Sequence, residues 1–98
     1  MTILAGKPFN GPYSDALDIA KKPGVYVVVC ETRDKKIIEV GETEDVSAEI
    51  GSQHQRWEHW GKICGGEVHL MVHYWRGSTQ VDRLELVRKV REELGLEP

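Results

Sequence analysis

The stretch Gly24-Val25-Tyr26-Val27-Val28-Val29-Cys30 is apolar at odd and even positions alike. Its valines favour extended backbone. A strand with no polar face belongs in the middle of a sheet, covered on both sides. The residues on either side must therefore supply neighbours and cover. Thr32 to Lys35 reads as a polar turn, and a second strand, about 36–41, pairs back as a hairpin. Strict alternation puts Ile38 and Val40 on one face, and Ile37 and Glu39 on the other.

Thr43, Glu44 and Asp45 are good helix-start residues, with acids suited to the positive end of the helix dipole. A helix is expected to about Trp60, with Val46, Ile50, Gln53, Trp57 and Trp60 on one stripe and Gly61 as its stop; Gly51 weakens it. A third strand, about 66–75, points Val68, Leu70, Val72 and Tyr74 one way, and His69, Met71, His73 and Trp75 the other. Gly77-Ser78-Thr79 then opens a last helix, about 79–94, with Arg83, Leu86, Val87, Val90 and Leu94 on one stripe and Gly95 as its stop. Residues 1–23 read as a lead-in broken by Pro8, Gly11 and Pro12, with a short helix over 14–20. The expected architecture is α+β: a small antiparallel three-stranded sheet flanked by helices, in the order β-β-α-β-α, with the domain proper over 24–98.

The chain has 98 residues, 40% hydrophobic and 30% charged, which suits one soluble domain. It has no apolar run of the ~20 residues that span a bilayer. Its start lacks the basic and apolar regions of a signal peptide. A cytoplasmic protein without a membrane partner is expected. In a reducing compartment Cys30 reads as a small buried hydrophobe, and no disulfide with Cys64 is expected. The net charge of −3 and pI of about 5.8 argue against tight, unaided binding to phosphate backbones. Lys21, Lys22, Arg33, Lys35, Lys36 and Arg88-Lys89-Val90-Arg91 are read first as solvated surface, with a local basic patch as the alternative.

The strand texts and their order resemble the GIY-YIG nuclease superfamily over about 24–94. Gly24-Val25-Tyr26 matches the first signature, and Glu39-Val40-Gly41 stands in place of the second. Thr43 occupies the position of the family's small hydroxyl residue. The resemblance implies metal-assisted phosphodiester hydrolysis, in which a tyrosine, an arginine and a histidine or tyrosine activate water and bind phosphate. A glutamate on the last helix holds a divalent ion, magnesium or manganese if the chain is active.

Most of those positions are substituted. Tyr26 is intact. The second signature tyrosine is Glu39, the helix arginine is Glu49, and the histidine position is Gln53, with His54 one step off that face. Two alignments compete for the metal glutamate. Similarity of text offers Glu85. Helix periodicity offers Arg83, because Leu86-Val87 is the apolar pair that follows it, and Glu85 then faces solvent. A glutamate in place of a phosphate-facing arginine repels the substrate. Glu39 and Glu49 thus read as an erased nuclease site with Arg83 as their counter-ion, against the alternative of unconnected surface residues. Arg56, on nearly the same helix face as Glu49, is the substitute that a working hydrolase would use.

His54, His59, His69, His73 and Cys64 invite a zinc reading, but no C-x-x-C or helical H-x-x-x-H supports it, and His69 and His73 are ~13 Å apart by strand rise. Trp57, Trp60, Tyr74 and Trp75 read as core filler. The alternatives are base stacking beside Arg56 and Arg76, a protein contact, or a homodimer surface through Met71 and Trp75. The expected function is a GIY-YIG-like domain without hydrolytic activity that binds nucleic acid or protein. The alternatives are an active, atypical nuclease and a structural or oligomeric protein with no nucleic-acid role.

Overall fold

The computed structural model describes residues 2–14, 19–31, 36–51 and 54–96, without the side chains of 50, 51 and 54–56. The short helix expected over 14–20 and the turn at 32–35 fall largely or wholly outside these residues. The strands are β1 (Thr2–Leu4), β2 (Lys7–Tyr13), β3 (Gly24–Glu31), β4 (Lys36–Thr43) and β5 (Glu67–Tyr74); the helices are α1 (His54–Cys64) and α2 (Gln80–Glu93).

These strands form one five-stranded antiparallel sheet in the order β1-β2-β5-β3-β4. This corrects the expected three-stranded sheet, although the α+β class holds. The extra strands come from the proline-containing lead-in. β2 pairs with β5 at Asn10↔Val72 and Tyr13↔Leu70, and the register is irregular between them, where the Gly11–Pro12 bond is cis. An irregular ladder tolerates residues that a continuous one rejects. The alternation that marks this segment as a strand is short: Leu4 and Phe9 are buried, while Ile3, Pro8 and Asn10 are exposed.

β3 lies between β5 and β4, with Val25 to Cys30 buried throughout. On one side Tyr26, Val28, Leu70 and Val72 pack with Val46 and Trp60, beneath α1. On the other Val25, Val27, Val29 and Val40 pack with Leu4, Phe9, Leu86 and Val90, beneath α2. Burying each such side chain is worth about 1.5–3 kcal/mol, so both helices are needed to cover this strand.

Two elements depart from the sequence expectation in their detail. The first helical region is split into a π-type turn over Ser47–Gly51 and the helix α1, and α1 runs through Gly61 to Cys64. Glycine stops a helix where its backbone turns left-handed, and Gly65, at φ +68°, does that here. In β4 a register shift opposite Val28/Val29 breaks the alternation. Ile37 and Val40 pack under α2, while Ile38 packs on the α1 side. The pairing of Ile38 with Val40 on one face is therefore corrected: a bulge turns the strand between them.

α2 starts as expected. Thr79 Oγ1 accepts from the Asp82 amide at 3.1 Å, and Asp82 Oδ2 accepts from the Thr79 amide at 3.0 Å, a reciprocal cap.

Two glycines give opposite predictions. A Cβ on Gly41 would lie 2.6 Å from Cζ of Tyr26, and nearer still to its hydroxyl, with the ring buried and unable to swing away. A Cβ on Gly61, inside a helix, would meet nothing within 4 Å. Gly41→Ala is expected to destabilise by about 1–3 kcal/mol, whereas Gly61→Ala is expected to stabilise by about 0.5–1 kcal/mol. Urea unfolding of the two variants checks both signs.

Candidate functional site

The signature residues come together on the α1 side of the hairpin. Tyr26 opposes Gly41 in the β3–β4 ladder, and its ring lies across that glycine. The Tyr26 hydroxyl donates to Oε2 of Glu39 at 3.2 Å. Glu39 pairs with Val28, whose side chain belongs to the α1-side core, and the register from Gly41 to Glu39 is regular, so plain alternation puts this carboxylate on the tyrosine's side; the bulge lies beyond it, at Ile38. Gly24 pairs with both Thr43 and Tyr74, and a Cβ there would run into the carbonyl of His73. Both signature glycines thus have a packing cause.

Thr43 and Asp45 shape the turn out of β4. Thr43 Oγ1 accepts from the Asp45 amide at 3.2 Å, and Asp45 Oδ1 accepts from Ser47 Oγ at 2.8 Å and from the Ala48 amide at 3.2 Å. Glu49 follows in the π-type turn, half-buried, its amide bonded to the Asp45 carbonyl at 3.0 Å. Gln53 lies outside the described residues. Arg56 is in α1, but its side chain, expected as a substitute phosphate ligand, is not among those described.

Arg83 belongs elsewhere. It is 2% exposed on α2, its Nε donates to Glu42 Oε2 at 2.8 Å, and one terminal nitrogen donates to the carbonyl and hydroxyl of Ser78 at 2.9 Å each. Glu42 opposes Val25, so this pair sits on the α2 side of the sheet, across β3 and β4 from the Tyr26 ring. Arg83 as the counter-ion of Glu39 and Glu49 is therefore corrected to Arg83 as the counter-ion of Glu42. Gln80 adds a bond to the second Glu42 oxygen at 3.3 Å. Glu85 is exposed and pairs with Arg88 at 2.7 Å; that hydrogen bond, with the guanidinium charge, holds its carboxyl below the usual range.

Sequence reasoning misses Glu42 because it ends the strand at Gly41. With the strand carried to Thr43, Glu42 falls two residues beyond the buried Val40, facing the last helix, where a carboxylate needs a cation.

Among the described side chains, His69 and His73 have separate partners. His69 lies 3.3 Å from Glu31 and 3.3 Å from Glu67, two carboxylates in register across β3 and β5. His73 Nδ1 is 2.8 Å from the Pro8 carbonyl, which can only accept, so that nitrogen carries the proton; its ring lies between Phe9 and Trp75. Among the described residues no group of three metal-binding side chains forms. No helix among them is long and apolar enough to cross a membrane.

The expectation of free cysteines is also overturned. Cys30 of β3 and Cys64 at the end of α1 form a disulfide, with Cα atoms 5.5 Å apart. Cys30 lies on the even, α1-facing side of its strand, and the extension of α1 past Gly61 carries Cys64 to it.

Comparison with protein-family models, curated proteins and solved structures gives no significant match.

Removing Glu42 leaves a buried guanidinium without its carboxylate. Glu42→Ala is expected to cost about 3–5 kcal/mol, and the paired change Glu42→Leu with Arg83→Met distinctly less. Denaturant titration of the two variants beside the parent chain checks this order. The Ser47 hydroxyl, then the Ala48 amide and the Lys21 charge, hold the Asp45 carboxyl below its usual range. Its folded value lies below its unfolded value, so its contribution is full above the unfolded pKa and is lost as pH falls through the folded one. Carboxyl NMR should show Asp45 titrating at lower pH than an ordinary aspartate, and Ser47→Ala should raise that midpoint.

Proposed function

We propose that the chain is a GIY-YIG-like domain that does not hydrolyse phosphodiesters and acts as a binding or interaction module. The observation that carries this reading is the Tyr26–Glu39 contact. The hydroxyl that would work on water and phosphate in the family donates instead to a carboxylate. That carboxylate presents negative charge where a phosphate would arrive. The separation of Arg83 from this tyrosine adds support: its nitrogens serve Glu42 and Ser78 on the other side of the sheet.

Of the two partner classes, a protein is favoured over nucleic acid. The net charge is −3, and α2 exposes Val81 and Leu84 at 75% and 51%.

The reading is tested with duplex and single-stranded DNA at low salt, with and without magnesium or manganese. No cleavage is expected in either metal. Amide shifts on titration should be absent or scattered over exposed lysines. Metal-dependent cleavage that Tyr26→Phe abolishes would overturn the proposal. Shifts centred on Tyr26, Glu39 and Glu49 without cleavage would retain the inactive module and make nucleic acid its partner.

A further inference from the structure

We propose that the Cys30–Cys64 bond is a reversible redox latch that holds α1 against the sheet and releases it on reduction. This inference is independent of whether the partner is protein or nucleic acid.

The two helices are secured in different ways. α2 has a reciprocal N-terminal cap, a buried ion pair to β4, and Leu86 and Val90 in the core. α1 is shorter, contains Gly61 in its interior, and leaves Glu58, His59, Lys62 and Ile63 exposed. Its apolar attachment among the described side chains comes from Trp57, Trp60 and Cys64, spaced to fall on one face. A helix of this length is marginal without tertiary anchors. The covalent bond joins its last residue to the strand that is most deeply buried. α1 thus has the features of a low-stability unit tied to a high-stability one.

The two sulfurs are unequally accessible. Cys30 is 2% exposed, on a strand held by neighbours on both edges. Cys64 is partly exposed, at a helix end followed by exposed Gly65 and Gly66. A dithiol reductant therefore attacks the sulfur of Cys64. The protein S–S bond breaks, Cys30 leaves as a thiolate and takes up a proton, and Cys64 is held in a mixed disulfide. The second thiol of the reductant displaces Cys64 as its thiolate, which is protonated in turn, and the reductant becomes a disulfide. Two electrons and two protons pass to the protein. Cys30 stays in the core as a small hydrophobe, while the last turn of α1 loses its attachment.

The test is amide hydrogen exchange on the full chain, oxidised and then reduced with excess dithiothreitol, with tryptophan emission followed in parallel. On reduction the amides of Trp60 to Cys64 are expected to exchange faster by about tenfold or more, while those of β3, β5 and α2 keep most of their protection. Emission should rise, because Trp60 is one helical turn from a disulfide that quenches it, and reoxidation should restore both signals. Cys64→Ser should show the reduced pattern whether or not dithiol is present. Unchanged exchange in α1 would overturn the proposal. So would a bond that resists excess dithiol, or cooperative unfolding of the sheet on reduction, which would make the bond a structural staple.

Discussion

Nearly everything in this fold depends on β3 having no face that tolerates water. Val25 to Cys30 are buried on both sides. Antiparallel sheets commonly leave one side solvated. This one needs a helix over each face and a strand on each edge of β3. β4 and β5 supply the edges, α1 and α2 supply the cover, and the N-terminal hairpin adds Leu4 and Phe9 where α2 alone does not reach. The two sides are then used differently. The α2 side is closed by packing and a buried ion pair. The α1 side is closed by aromatic packing and a covalent bond.

Much of this is legible in the sequence. The valine run marks its own centrality, the clean alternation over 67–74 marks β5, and Thr79 with Asp82 marks the start of α2. The N-terminal strands are not legible, because prolines and a glycine in a short segment argue for a break. An irregular ladder to β5 accommodates them, and pairing partners far along the chain leave no local trace. The bulge in β4 is hidden for a related reason. A period-two reading of Ile37 to Val40 has no means of registering one extra residue, and that residue puts Ile37 rather than Ile38 on the face of Val40. The disulfide depends on α1 passing through Gly61, which the sequence suggests as a stop.

The candidate site is legible only in part. Tyr26 and Glu39 meet as neighbours, but the residue expected to join them, Arg83, answers to Glu42, one step beyond the strand end that the sequence suggests. The glycines that carry the resemblance have causes of their own here. Gly24 admits the backbone of β5, and Gly41 admits the ring of Tyr26. Close packing alone is thus enough to require glycine at both positions, whatever chemistry stands beside them. Glycine–aromatic pairs of this kind report on geometry, and the charged positions report on activity.

The sheet has two outer edges, and they are not equally exposed to mispairing. β1 has three residues, too few to template another chain, whereas β4 has eight. On β4 the shift opposite Val28/Val29 interrupts the row of free amides and carbonyls, and Lys36 begins it with a charge. The bulge that turns Ile38 to the α1 side therefore has a second effect. It denies a neighbouring molecule a straight edge to extend, which helps keep a valine-rich chain of this size from adding copies of itself strand by strand.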